Sequence, residues 1–165
     1  MDRCEECGFE YDLTRARNSG ALILSEVGLF CGLLQNPEID VRARPAPDTW
    51  STLEYSCHVR DVLLVQRERA LAARRTDCPS VAPMGRDERA EHDGYAAQDP
   101  IRVAGQLADA ALLFSNVLAR LAPDDWDRTL IYNYPEPTER SLHWLAIHTE
   151  HEVRHHLRDV QEGLG

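Results

Sequence analysis

The 165-residue sequence predicts an all-α protein, an antiparallel four-helix bundle with long connecting loops. Three observations carry that expectation. Apolar residues recur at spacings of three and four in four separate stretches, the period that lines up one face of a helix. Prolines fall between those stretches, where they end helices rather than kink them. Ser51 followed by Glu54 forms a capping-box pattern in front of the second stretch.

In the first stretch, Leu13 to Leu34, the recurring positions are Ala16, Leu22, Ile23, Val27, Phe30, Leu33 and Leu34, and Asn36-Pro37 ends the run. Residues 37–49 carry three prolines and no helical period, so they read as a long crossover connection. Helix two starts at Ser51 and continues through Tyr55, Val59, Val62, Leu63 and Leu71 to about Arg75. Cys78 to Pro100 is polar and irregular, a second loop. Helix three spans Ile101 to Leu121 on Val103, Leu107, Ala110, Ala111, Phe114, Val117 and Leu118, and Pro123 closes it. Trp126 to Thr138 contains Leu130-Ile131-Tyr132, but one short strand has no evident partner, so the segment is read as loop. Helix four runs from about Glu139 to Glu162, with Leu142, Leu145, Ala146, Val153, Leu157 and Val160 on one side.

The length suits one domain and is too short for two: a cysteine-containing N-terminal tail over 1–12 and the bundle over 13–162. Hydrophobic residues make up 43% of the chain and charged residues 28%, a balance that separates it from disordered and membrane classes. No stretch reaches the roughly eighteen uninterrupted apolar residues of a membrane span, and the N-terminus lacks the regions of a signal peptide. The expected location is the cytoplasm. Five cysteines at irregular spacing there fit free thiols better than a disulfide framework. A net charge of −10 repels a phosphate backbone, so nucleic acid is not an expected partner. All 18 basic residues are arginine, which excludes lysine Schiff-base and lysine general-base chemistry.

The segment His148-Thr-Glu-His151-Glu152-Val-Arg-His155-His156-Leu-Arg-Asp159 places four histidines and three acids on about three turns of helix. Residues four apart share a face, so two pairs compete: Glu152 with His156, and His151 with His155. Counting about 100° per residue from Val153 puts His156 roughly 60° and Glu152 roughly 100° from the core direction. His151 and His155 fall about 160° away, toward solvent. The phase therefore favours Glu152 and His156. His58 lies on the apolar side of helix two, within about 60° of Tyr55, Val62 and Val65, and offers a third donor from a facing helix. A hydrogen-bonded core histidine at 58 and a solvated last helix remain the plain alternative. Two histidines and a carboxylate with open positions suit zinc first, with nickel or iron also accepted.

Two segments resemble the DinB-like metal-binding superfamily, which includes the metal-binding domain of mycothiol-dependent maleylpyruvate isomerase. One is Asp48-Thr-Trp50-Ser51-Thr-Leu-Glu54-Tyr-Ser-Cys-His58-Val-Arg-Asp61, similar to that family's tryptophan-serine helix start with a histidine and an aspartate three residues later. The other is Glu152-Val-Arg-His155-His156, similar to its last-helix ligand pair. The resemblance implies one divalent ion held by His58, Glu152 and His156. Asp61 and Asp159, each three residues beyond a ligand histidine, are candidates for carboxylates that orient an imidazole, or are surface acids.

The resemblance further implies a metal-dependent thiol transferase or isomerase, in which a low-molecular-weight thiol such as mycothiol is activated toward a small electrophilic substrate. A metallohydrolase using metal-bound water is the alternative, and a catalytically silent metal-binding or stress-response protein a third. A homodimer is one option for assembly, and the oligomeric state stays open. Cys4-Glu-Glu-Cys7-Gly8 has the form of half a zinc knuckle, short of two ligands that Cys31, Cys78, a histidine or a second subunit could supply. It reads equally as a redox dithiol or as a loosely ordered tail, and is not counted among the expected sites.

Overall fold

Three of the four long helices begin on a side chain that accepts one of their free backbone N–H groups. Ser51 caps Thr52–Arg75, Asp99 caps Pro100–Ala119 and Ser141 caps Leu142–Leu164. The computed structural model describes residues 3–165, so residues 1 and 2 of the expected tail lie outside the described residues. Its α-helices are α1 (Ser19–Leu34), α2 (Thr52–Arg75), the short α3 (Arg86–His92), α4 (Pro100–Ala119) and α5 (Leu142–Leu164). The four long ones make the four-helix bundle, as the periodicity predicts.

The order around the bundle is α1, α4, α2, α5, because α1 and α2 each pack against both α4 and α5 and barely touch one another. α1 and α2 therefore sit diagonally, as do α4 and α5, and the crossover at 35–51 is what carries the chain from α1 across to α2. Gly20 at the start of α1 meets Ser115 near the end of α4, where the serine Oγ donates to the Gly20 carbonyl at 3.0 Å. At the other end, the Cys31 thiol donates to the Ala104 carbonyl, so α1 and α4 run antiparallel. α2 and α5 also run antiparallel, with His58 beside His156 and, further along, Tyr132 bridging Gln66 on α2 and His148 on α5.

Ile23, Phe30, Leu63, Leu107, Phe114, Leu145 and Val153 fill the core, one or two from each long helix, and all are essentially inaccessible to solvent. By length and composition α4 could cross a bilayer, but Val103, Leu107, Ala111 and Phe114 along it are buried between α1 and α2. Burial of that kind accounts for its inward face, while Ile101, Leu112 and Leu113 stay exposed.

Two segments read as loop carry structure. Thr129–Asn133 (β2) pairs antiparallel with Pro137–Ser141 (β3) in the register Thr129↔Ser141 to Asn133↔Pro137. Ser80–Val81 (β1) adds to β2 in parallel, completing a three-stranded sheet. The partner of β2 is therefore the segment assigned to the start of helix four, and α5 begins at Leu142 rather than at Glu139. The second correction is the N-terminal tail. Cys4 N–H donates to the Phe9 carbonyl at 2.8 Å and Arg3 bridges to Glu10, so residues 3–10 form a tight hairpin, with Phe9 buried in the core.

Candidate metal centre

The α2 cap sets the position of the first candidate ligand. Ser51 Oγ accepts from Glu54 N–H at 3.3 Å, and the Glu54 carboxylate accepts from Ser51 N–H at 2.9 Å. Glu54 is in turn gripped by Arg44 from the crossover, through Nε at 2.9 Å and through Nη2. Two turns further along, His58 is 2% exposed, packed by Trp50 at 5.3 Å between ring centroids and by His156 at 4.9 Å. Its Nδ1 is buried with no hydrogen-bond partner, a costly state for a polar atom unless something fills the gap.

Across the α2/α5 seam stand Glu152 and His156. Donor atoms of His58, Glu152 and His156 all lie within 4.8 Å of one another. The His156 Nδ1 lies 2.9 Å from Asp159 Oδ2. A carboxylate only accepts, so the proton sits on Nδ1 and Nε2 carries the free lone pair, 3.9 Å from Glu152 Oε2. Burial pushes the Glu152 carboxyl up, but a hydrogen bond from His151 and the charges of His148, His156 and His151 outweigh it, leaving its pKa at about 2. Burial, with the neighbouring His156, holds His58 down at about 4. At neutral pH the set is thus one anionic carboxylate beside a neutral His58, the protonation a metal ion requires.

The two expected supporting carboxylates part company. Asp159 accepts from His156. Asp61 faces elsewhere, accepting from Arg60 Nε at 2.8 Å and from the Tyr95 hydroxyl at 2.6 Å. It does not reach the orphaned nitrogen of His58, which corrects its assignment.

Several side chains that sequence reasoning passed over complete the surroundings. Arg69, on α2 and 7% exposed, donates from Nη1 to the Tyr132 hydroxyl at 2.9 Å and to Gln66 Oε1 at 3.1 Å. A cavity of about 20 Å³ lies between Gln66, Arg69, Tyr132, Met84 and Glu152, enough for a single water. A larger hollow of about 270 Å³, bordered by Cys7, Phe9, Arg15 and Arg154, includes none of His58, Glu152 and His156. The smaller cavity reaches one of the three, Glu152, and it is the convergence of donors, not volume, that locates the chemistry.

His151 and His155 do not face solvent. His151 is 8% exposed beneath the N-terminal hairpin, and Tyr11 Oη lies 2.9 Å from its Nδ1 and 3.0 Å from the Nδ1 of His148. The signal that could have found this is the Cys-x2-Cys spacing at one end of the chain beside a His-x3-His spacing at the other.

Fold and site together describe a four-helix-bundle protein with a candidate two-histidine, one-carboxylate metal centre across its α2/α5 seam. The sequence matches the DinB superfamily over residues 32–160, and the chain belongs to that superfamily. Among solved structures it is similar to YfiT from Bacillus subtilis, with a TM-score of 0.76 at 12% sequence identity, covering 98% of this chain and 90% of that one. YfiT is described as "a probable metal-dependent hydrolase with an unusual four-helix bundle topology". No match is found among curated proteins.

Proposed function

We propose that this protein is a metal-dependent hydrolase of a small molecule, with one divalent ion held by His58, Glu152 and His156. The observation that carries the reading is the convergence of those three donors, one of them from a His58 whose Nδ1 is buried and unpartnered. Zinc is the default ion, and nickel or iron would suit the same donors. An ion held there supplies Lewis acidity, acidifying a water and polarising a substrate oxygen.

The protein's own groups have separable tasks. Asp159 fixes the tautomer of His156, so that Nε2 keeps its lone pair. Arg69 places a permanent positive charge behind Tyr132 and Gln66, next to the cavity at Glu152, where charge developing on a substrate oxygen would be met. Trp50 packs on His58 and Tyr55 on His156, shielding both rings from bulk water.

Hydrolysis needs only a water beside the centre, and the cavity next to Glu152 has room for one. YfiT's description points the same way. Thiol transfer with mycothiol is therefore the second reading. We place the protein in the cytoplasm, acting on a small molecule rather than on nucleic acid or membrane.

The test is an ester, lactone and amide panel assayed with and without added thiol, alongside elemental analysis of the parent, His58→Ala and Glu152→Gln. Hydrolysis without thiol, with loss of metal and a fall in rate of about 10²-fold or more in both variants, supports the reading. Turnover that requires thiol replaces it with thiol transfer. Full metal at this site in both variants removes it.

A further inference from the structure

The N-terminal hairpin brings a second set of donors together. Gly8 N–H donates to the Cys4 carbonyl at 2.9 Å, closing a turn over Glu5, Glu6 and Cys7. Gly8 sits at φ +71°, a left-handed conformation that glycine adopts without strain. Phe9 then anchors the hairpin against α5, its ring 5.3 Å from that of His151. The result is that donor atoms of Cys4, Cys7, His151 and His155 all lie within 4.8 Å of one another.

Both imidazoles are oriented as metal ligands are. His151 turns Nδ1 toward Tyr11 Oη at 2.9 Å and Glu152 Oε1 at 3.4 Å, and its Nε2 is buried without a partner. A carboxylate on the Nδ1 side favours the proton there, leaving Nε2 as a bare lone pair. His155 turns Nε2 toward Glu6 Oε2 at 3.4 Å and Asp159 Oδ2 at 3.6 Å, and its Nδ1 lies 3.9 Å from Cys4 Sγ.

We propose that Cys4, Cys7, His151 and His155 bind a structural Zn²⁺ that fastens the N-terminal hairpin to α5. Two thiolates and two imidazoles form a donor set that selects zinc in tetrahedral coordination. With zinc–sulfur distances of about 2.3 Å and zinc–nitrogen distances of about 2.0–2.1 Å, the edges of such a tetrahedron measure roughly 3.3–3.8 Å. The 3.9 Å already separating Cys4 Sγ from His155 Nδ1 is close to that. On binding, each thiol gives up its proton to solvent, and two thiolates cancel the charge of the ion. The four protein donors leave no open position, so the site is structural rather than catalytic. Its four donors are distinct from those of the centre at His58, though Glu152 and Asp159 each reach a histidine of both.

The experiment uses the full-length chain, purified reduced and reconstituted with Co²⁺ and separately with Zn²⁺. The parent is compared with Cys4→Ser/Cys7→Ser, His155→Ala and His58→Ala/His156→Ala, each checked for helical content by circular dichroism. The parent should show a thiolate-to-cobalt charge-transfer band in the near ultraviolet. The double-cysteine variant should lose that band and one equivalent of zinc, and His155→Ala should weaken both. His58→Ala/His156→Ala should keep the band, so failure of the bundle centre cannot be mistaken for failure of this one. His155→Ala also decides the matter if the double-cysteine variant does not fold. A parent without the band, a band that survives in both Cys4→Ser/Cys7→Ser and His155→Ala, or a Cys4–Cys7 disulfide as the stable form in the presence of zinc would overturn the proposal.

Discussion

Asp61 and Asp159 each follow a candidate ligand histidine by three residues on a helix, yet they do different work. Asp159 holds the Nδ1 proton of His156 at 2.9 Å. Removing that acceptor should leave the fold intact and weaken metal binding, since such carboxylates are worth about 10–100-fold in affinity. Asp159→Asn, titrated against a competing chelator, should show that loss, and an unchanged affinity would strip Asp159 of the role. Asp61 instead belongs to a buried pair, with side-chain exposures of 5% for Asp61 and 10% for Arg60. Asp61→Asn leaves the Arg60 guanidinium short of its counter-charge, and the expected cost is about 3 kcal/mol. Urea unfolding would measure it, and metal affinity should not change. Spacing alone could not separate these two, because what decides is which neighbour reaches the carboxylate first, and Tyr95 arrives from a segment that the sequence presents only as loop.

Local signals at the helix scale were legible in the sequence wherever the partner was close in the chain. The Ser51–Glu54 box is such a signal, and it starts α2 as the pattern predicts. Ser51→Ala should cost about 1 kcal/mol in thermal or urea unfolding. Glu54 remains tied to Arg44, so the helix should shorten at its start rather than shift, and a loss well under a few tenths of a kcal/mol would mean that the arginine alone carries the cap. Non-local partners were hidden. The strand Thr129–Asn133 pairs with Pro137–Thr138–Glu139–Arg140–Ser141, a polar edge segment that opens on proline and has none of the alternation that announces a strand. Helical phase placed Glu152 and His156 beside α2 because that face meets another helix of the bundle. The same count sent His151 and His155 to solvent because it registers one apolar stripe and cannot see a second layer. Residues 3–10 supply that layer, and they come from the far end of the chain.

Across the molecule, two buried histidines govern how the fold responds to acid. Burial and the neighbouring His156 hold His58 at about 4, and burial, which outweighs the opposing Glu152 charge, holds His148 at about 4, both below the ordinary histidine value of 6.5. Between pH 6.5 and 4 the unfolded chain binds protons that the folded chain refuses. Their contribution to stability is therefore full above pH 6.5, falls as pH drops through that window, and is gone below about 4. Each shift corresponds to something on the order of 3 kcal/mol. Together they approach the whole stability of a domain, typically about 5–15 kcal/mol. Acid also reduces the net charge of −10, which relieves repulsion, but those charges are exposed and screened within about 8–10 Å at ordinary ionic strength. Burial raises the Glu26 carboxyl to about 7, so the folded chain takes up that proton before the unfolded chain does, and Glu26 offsets about one of the two histidines over the same window. Protein stripped of metal and carrying Glu26→Gln should lose several kcal/mol between pH 7.5 and 5 in urea titrations, the parent less, and in that background His148→Gln should remove about half of the dependence. Bound metal should raise stability at neutral pH and steepen the acid limb, because its ligands must shed their protons to hold it. Equal urea midpoints at pH 7.5 and pH 5 for the metal-free Glu26→Gln protein would mean that water reaches these histidines in solution, and that the closed packing around His58 and His148 opens readily.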